Sequence, residues 1–317
     1  TIPVAMETGN LSLRADSVVS EIMFDKETRK ATGVRVKDTN TGEELEFFAR
    51  IIFCNASTIG TTAILLNSRS DEFPEGLGNS SGELGHNIMD HHYGMGASAT
   101  IPGFEDKYYK GRKPLGFYIP RFRNIDEKTR RKDYIRGFGY QGSARRIANN
   151  PEGLIGKALK EEIFKPGPYT ISMTCFGELL PYHENRMWLN FDKKDKYGMP
   201  IITFDAQLRE NEMKLREDGV RCAEEMLEAA GYKDISSYNS ATAVGAAIHE
   251  MGTARMGRDP KTSVLNKWNQ MHDAQNVFIT DGSCMTSSAT QNPSITYMAL
   301  TARAVDYAHK QVDEGVL

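Results

Sequence analysis

Ile248-His249-Glu250-Met251-Gly252-Thr253-Ala254-Arg255-Met256-Gly257 is the stretch on which the reading of this chain turns. A histidine opens it and glycines punctuate it. Downstream, a short apolar run, Val277-Phe278-Ile279-Thr280, breaks into Asp281-Gly282-Ser283, and a polar stretch leads on to Asn292-Pro293-Ser294-Ile295. Pro293 suits a first helical position, where its missing N–H costs nothing. The spacing therefore predicts a helix over 293–310 with Asn292 as N-cap. Ile295, Met298, Ala299, Ala302 and Val305 recur near the helical period and are expected to face inward. A helix N-terminus carries roughly half a positive charge and would stabilise an anionic ring, such as a reduced flavin, held against it. A histidine accepts a proton near neutral pH. Together they suit oxidation of an alcohol. A purely structural histidine in a glycine-rich loop is the competing reading of His249.

Working outward, the first 65 residues read as an antiparallel meander: 10–15, 17–24, 32–38 and 44–49 are β-rich runs divided by turn residues such as Asn40-Thr41-Gly42. Ile51-Ile52-Phe53-Cys54 is then a continuous apolar strand, followed by Asn55-Ala56-Ser57-Thr58 and a helical run to Leu66. Strand, small-residue turn and helix is the unit whose backbone N–H groups face an anion; an ordinary βα connection is the alternative. In the middle of the chain, 187–191 reads as a strand. Residues 208–230 read as a helix with Leu215, Val220, Ala223, Leu227 and Ala230 inward, stopped by Gly231.

Composition excludes several classes. Lys and Arg number 39 against 42 Asp and Glu, a net charge of −3, which speaks against a wholly basic nucleic-acid binder. No apolar run approaches the ~20 residues of a membrane-spanning helix, and Thr1-Ile2-Pro3-Val4 has no basic segment followed by an apolar one, so neither a span nor a signal peptide is expected. Cys54, Cys175, Cys222 and Cys284 form no C-x-x-C pair, so no zinc ribbon or disulfide scaffold is expected, and Cys284 is expected to be a buried, inert thiol. No metal site is expected at His86, His91 and His92; His183 is read as lying in a loop, and His272 and His309 at the surface. Charge is nonetheless uneven. Residues 107–146 carry 13 basic and 3 acidic side chains with 8 aromatics. Such interleaving serves single-stranded nucleic acid, a docking patch for an acidic protein, or a solvated sheet face, and the last reading is preferred.

The motifs together resemble those of the glucose-methanol-choline (GMC) oxidoreductases. His249 to Gly257 matches the family's H-x-x-G-T-x-x-M-G run at each defined position, Asp281-Gly282-Ser283 its D-G-S, and Asn292-Pro293 the pair that opens its final helix. Leu84 to His92 is similar to its G-x-N-x-x-D-H segment, and Asn55 to Leu66 to its flavin-domain turn, with Asn55 for Gly and Thr62 for Pro. The resemblance implies an α/β and α+β fold with a FAD-binding part (1–85 and 244–317) and a substrate-binding part (86–243) of antiparallel sheet backed by helices. It also implies FAD as cofactor. His249 would be the proton-accepting base and Asn292 its partner. Asp281 and Gly282 would line the ribityl and pyrophosphate, with Asn55 and Ala56 on the flavin-side turn. Pro293, Ser294 and Ile295 would lie beneath the pyrimidine end, and Val18 or Val19 would present backbone to the adenine. The His–Asn pairing is closest to the pyranose-oxidising branch and to glucoside 3-dehydrogenase and gluconate dehydrogenase large subunits. That implies a sugar, glycoside or polyol substrate and points to a small subunit or cytochrome as one electron acceptor, while the compartment of a soluble bacterial enzyme, cytoplasm or periplasm, stays open. The family's strand–G-x-G-x-x-G–helix unit, which cradles the FAD diphosphate, has no counterpart here. Gly94-Met95-Gly96-Ala97-Ser98-Ala99 is a chance near-match. The chain is therefore expected to be the C-terminal part of such an enzyme and inactive alone. Two other classes compete: a fragment that folds without cofactor, and a nucleic-acid-binding module using 107–146.

Overall fold

The computed structural model describes residues 1–103, 116–148, 151–240 and 243–317. A short helix, α1 (Ile2–Glu7), precedes a three-stranded antiparallel meander of β1 (Ser17–Asp25), β2 (Lys30–Asp38) and β3 (Glu44–Phe48). Then come β4 (Ile52–Phe53) and α2 (Ser57–Asn67). The expected strand over 10–15 does not form. Its alternating Leu11 and Leu13 stay exposed, with no strand of the described residues paired to them, and Arg14 is tied to Asp38.

The middle of the chain builds β5 (His91–Thr100), β6 (Gly116–Ile119), β7 (Phe138–Ala148), α3 (Gly156–Ile163), β8 (Pro166–Glu178), β9 (Arg186–Lys194), β10 (Pro200–Asp205), α4 (Glu210–Ala229) and β11 (Lys233–Asn239). Five of the strands form one antiparallel sheet in the order β11-β5-β8-β7-β6, and β9 pairs with β10. Alternation decides its two faces. Met95, Ala97, Ala99, Phe138, Tyr140, Met173 and Cys175 turn inward onto Leu215, Cys222, Ala223 and Leu227 of α4. Ser98, Ser143, Arg145, Thr170 and Ser172 line the other face, at a cavity of about 250 Å³. Ala230, expected inward, is exposed, because α4 ends one residue earlier. The Gly94–Ala99 near-match lies inside β5, paired on both sides, so its backbone is committed to the sheet and not to a phosphate.

The two ends of the chain share a second core. Ile22, Leu65 and Met89 pack with Met251, Leu265, Met271, Val277 and Ile279. Here β12 (Val277–Phe278) lies parallel to β4, Phe53 stacks on Phe278 at 5.0 Å, and Asn276 bonds Ala31 and Arg50. After a 3₁₀ turn (Gly282–Cys284), α5 (Ser294–Asp313) closes the chain.

The inward stripe expected on α5 is reversed. Ile295 and Met298 are 78% and 65% exposed, Ala299, Ala302 and Val305 are also exposed, and Ala304 and Ala308 make the buried contact. The helix is apolar on more than one side, and periodicity cannot say which side this chain covers. The N-cap is Pro293, not Asn292, which leaves the Asn292 amide free for another task.

Segment 251–256 lies between two others. Met251 exchanges both backbone hydrogen bonds with Met89, while Gly252, Ala254 and Met256 donate to Gly282, Ser283 and Cys284. Gly252 sits at φ +102°, and a Cβ there would overlap the Asn87 carbonyl. Gly252→Ala is therefore expected to cost at least ~2 kcal/mol in urea unfolding of the natural full-length protein; a change under ~0.5 kcal/mol would show that the close approach is not a constraint.

Candidate active site

His249 follows a loop folded around one carboxylate. Asp90 accepts from the backbone N–H groups of Gly245 and Ala247 at Oδ2 and of His249 and His91 at Oδ1, at 2.7–3.0 Å. Burial pushes this carboxyl up to about 6, and the N–H groups of Ala247, His249 and His91 oppose that rise. The loop is strained. Ile248, a β-branched residue, sits at φ +58° with its side chain 80% exposed.

The His249 ring is held at both nitrogens. Nδ1 lies 2.9 Å from Nδ1 of His91, and Nε2 lies 3.0 Å from Nδ2 of Asn292. Asn292 Oδ1 in turn accepts from Gln141 Nε2 at 2.7 Å, and His91 Nε2 meets the Ala289 carbonyl at 2.5 Å. The two imidazoles are nearly perpendicular, and Phe176 lies beside both. Burial lowers His91 to about 4 and also lowers His249, so both rings are neutral at pH 7. A neutral imidazole can accept a proton. His91 and Gln141 were not singled out as site residues from sequence. His91 was legible only as the second residue of the Asp90-His91-His92 run, and Gln141 sits in a strand with no local signal.

The remaining expected residues divide. Asp281 lies at the wall of a cavity of about 520 Å³ bordered by Asn55, Thr280, Tyr297, Met298 and Ala302. Its carboxylate is engaged within the chain, accepting from Thr61 Oγ1 and from Ser283 N and Oγ, at 2.5–3.0 Å. The start of α2 thus faces a carboxylate of its own chain. Gly282 is buried, and a Cβ there would overlap the Glu250 carbonyl, so packing demands it. Asn55 Oδ1 accepts from Thr280 N and Oγ1, and Ala56 N donates to Thr61 Oγ1, so both order the β4–α2 turn. Pro293 is buried while Ser294 and Ile295 are exposed at the start of α5. Val18 and Val19 lie on β1, an edge strand packed on α2, apart from the His249–Asn292 pair.

All four cysteines are buried and free, with Cys284 pushed up to about 12 by burial. His183 stacks on His86 at 4.1 Å, and His309 is exposed beside Asp313. His272 departs from the expected surface position: it is half-buried and bonded to Ser263. Of the basic segment, 107–115 lies outside the described residues. Within the rest, Arg121 pairs with Glu178, Arg123 with Asp218, Arg130 with Glu127 and Arg131 with Asp133, and Arg136 donates to Ser287. No group of His, Cys, Asp and Glu that could hold a metal occurs among the described residues. No helix among them is long and apolar enough to cross a membrane.

Two family models, both described as GMC oxidoreductase, match residues 1–93 and 181–301. The chain is 32% identical to 2-methyl-1,2-propanediol dehydrogenase of Mycolicibacterium austroafricanum over 99% of its own length and 57% of that protein. It is 30% identical to the fructose dehydrogenase large subunit of Gluconobacter japonicus, over 84% of this chain and 48% of that one. A formate oxidase crystal structure superposes with a TM-score of 0.66 at 15% identity, covering 94% of this chain and 60% of the other. The chain thus spans about half the length of these relatives.

His92, next to His91, is fully buried, with neither ring nitrogen hydrogen-bonded among the described residues, and burial lowers it to about 3. A histidine depressed from 6.5 favours the folded state above pH 6.5 and loses that contribution as pH falls toward the folded value. His92→Leu in the natural full-length protein should therefore flatten the fall in unfolding free energy, measured by urea titration, between pH 7 and 4.5, by on the order of 2 kcal/mol. Equal falls in both proteins would show that His92 is not held neutral.

Proposed function

The chain belongs to the GMC oxidoreductases, and from that premise we propose that it supplies the proton-accepting part of a site that oxidises a CH–OH group of a polyol, sugar or glycoside, with His249 as base and Asn292 as its partner. The observation that carries this reading is the hydrogen-bonded run Gln141–Asn292–His249–His91, which ends on a neutral imidazole nitrogen. The named substrates of the relatives, a small diol and a ketohexose, favour a hydroxylated, uncharged carbon skeleton.

FAD is the cofactor of this family. The residues present fit its ring end. The start of α5 lies directly after Asn292, and Ile295 and Met298 offer an uncovered apolar face beside the 520 Å³ cavity. Ser294, Ile295 and the Asp281–Gly282 turn would hold that end, and the edge strand at Val18 or Val19 would meet the adenine. Residues 1–85 and 244–317 are accordingly assigned to the cofactor side and 86–243 to the substrate side. Bound FAD supplies the acceptor for the hydride. His249 Nε2 takes the hydroxyl proton, and Asn292 orients the hydroxyl oxygen by its amide N–H. Asp90 keeps the backbone of the base in place while the substrate changes charge. Phe176 and the buried His91 exclude water from the far side of the ring.

Reoxidation requires an acceptor, and the relative named as a large subunit points to a partner protein. Arg121, Arg123, Arg130 and Arg131 are paired with carboxylates, so a docking patch in 116–146 would rest on Lys128 and Lys132, both exposed on one loop.

In the natural full-length enzyme, His249→Ala should slow substrate-dependent flavin reduction ~10²–10⁴-fold in rapid mixing. Reduction within about threefold of wild type would count against the base. Because burial lowers His249 and only the neutral ring accepts, the wild-type rate should hold through neutral pH and fall only below the ordinary imidazole value of 6.5.

A further inference from the structure

We propose that His91 is a positioning residue that fixes which nitrogen of His249 carries the proton. His91 donates its Nε2–H to the Ala289 carbonyl, so its Nδ1 is an acceptor. His249 must then donate from Nδ1, and its Nε2 is left bare toward Asn292 and the substrate. The inference rests on the reading of His249 as base.

The steps from the Ala289 carbonyl through His91 to His249 follow from donor and acceptor identity. The anchor is the Ala289 carbonyl, which can only accept, 2.5 Å from His91 Nε2. Ser288 Oγ does not relieve this, since it already donates to the same carbonyl at 2.9 Å. His91 is buried and neutral, and its one proton is used at Nε2. Its Nδ1 lone pair faces His249 Nδ1 at 2.9 Å, a contact that repels unless His249 supplies the hydrogen. Asn292 and Gln141 close the run from the other side. Gln141 donates to Asn292 Oδ1, which turns the Asn292 amide nitrogen toward His249 Nε2. An N–H pointing at Nε2 is compatible only with a bare nitrogen there. The Ala289 end sets the tautomer, and the Asn292 amide, oriented with its nitrogen toward Nε2, is compatible with it.

The charged groups around the pair do not compete for it. Asp90 takes backbone N–H groups from both histidines, Glu250 acts on His249 only through space, and Arg216 is bonded to Tyr93, Gly94, Asn239 and Ser240. Among the described residues no carboxylate touches either ring nitrogen of His249. After the proton arrives at Nε2, His249 still donates from Nδ1 to His91, so the Nδ1 side of the lock is unchanged, whereas the Asn292 amide must then give up its N–H contact with Nε2. A neutral acceptor at Nδ1 orients the ring without adding the charge that would make it a stronger base in the resting enzyme.

The test uses the natural full-length enzyme, labelled with ¹⁵N-histidine, with His249 assigned by its loss in His249→Gln. In wild type the one-bond N–H coupling should fall on Nδ1 of His249, with Nε2 unprotonated. His91→Leu should shift His249 toward the Nε2–H form and slow flavin reduction about 10–100-fold. His91→Asn, whose Oδ1 replaces the Nδ1 acceptor, should restore the Nδ1–H form and most of the rate. A wild-type His249 protonated at Nε2 overturns the proposal, and it does so even if neither variant folds. So does His91→Leu with unchanged tautomer, or His91→Asn no better than His91→Leu. If His249→Ala keeps its rate, the base reading fails while the coupling pattern still decides the lock.

Discussion

The buried Asp90 carboxylate is the constraint from which the rest of the site follows. It gathers N–H groups from residues 245, 247 and 249 on one side and from residue 91 on the other. Those donors come from segments more than 150 residues apart in the chain. A carboxylate that accepts several backbone N–H bonds in a dry site acts as a template for the backbone around it. Ile248 can occupy a left-handed conformation only because its neighbours on both sides are held in this way. His249 then emerges with its ring already directed at His91 and Asn292, so the proposed base would be ordered before any substrate arrives.

Much of this was legible in the sequence, and the reasons are local. The meander, the β4–α2 unit and the helix read over 208–230 and found at 210–229 each carry a period or a punctuation that short-range sterics explain, and the H-x-x-G-T-x-x-M-G run was legible through its resemblance to the family. Gly252 is required by its positive φ and by the Asn87 carbonyl above it. The errors are non-local. Leu11 and Leu13 alternate like a strand but meet no edge. The α5 stripe obeys the helical period, yet the face this chain buries is that of Ala304 and Ala308. His91 and Gln141 join the site only because β5 and β7 are both neighbours of β8, and strand order has no local signature.

The reversal on α5 also explains how one helix serves two surfaces. Its Ala304–Ala308 side, small enough for close approach, packs on Phe278, Leu317 and the half-buried Ile51 and Phe53. Its Ile295–Met298 side stands open next to the cavity at Asn55 and Asp281. An apolar face of this kind is stable in water only when something flat or apolar covers it. The first turn of the same helix adds a partial positive charge, which would favour a group that becomes anionic on reduction.

Placing the proposed base on a seam between two cores has a geometric consequence. His91 begins β5 and Gln141 lies on β7, both in the sheet whose core is closed by α4, whereas His249, Ala289 and Asn292 come from the C-terminal segment that packs with the meander. Every hydrogen bond in the Gln141–Asn292–His249–His91 run crosses or borders that seam. A small shift of one core against the other would lengthen them together, because hydrogen bonds weaken steeply with misalignment. Among the ties that resist such a shift are the Asp90 template and the Tyr118–Thr290 hydroxyl pair at 2.8 Å. The chemistry of His249 therefore depends on the relative placement of the two cores as much as on the residues of its own loop.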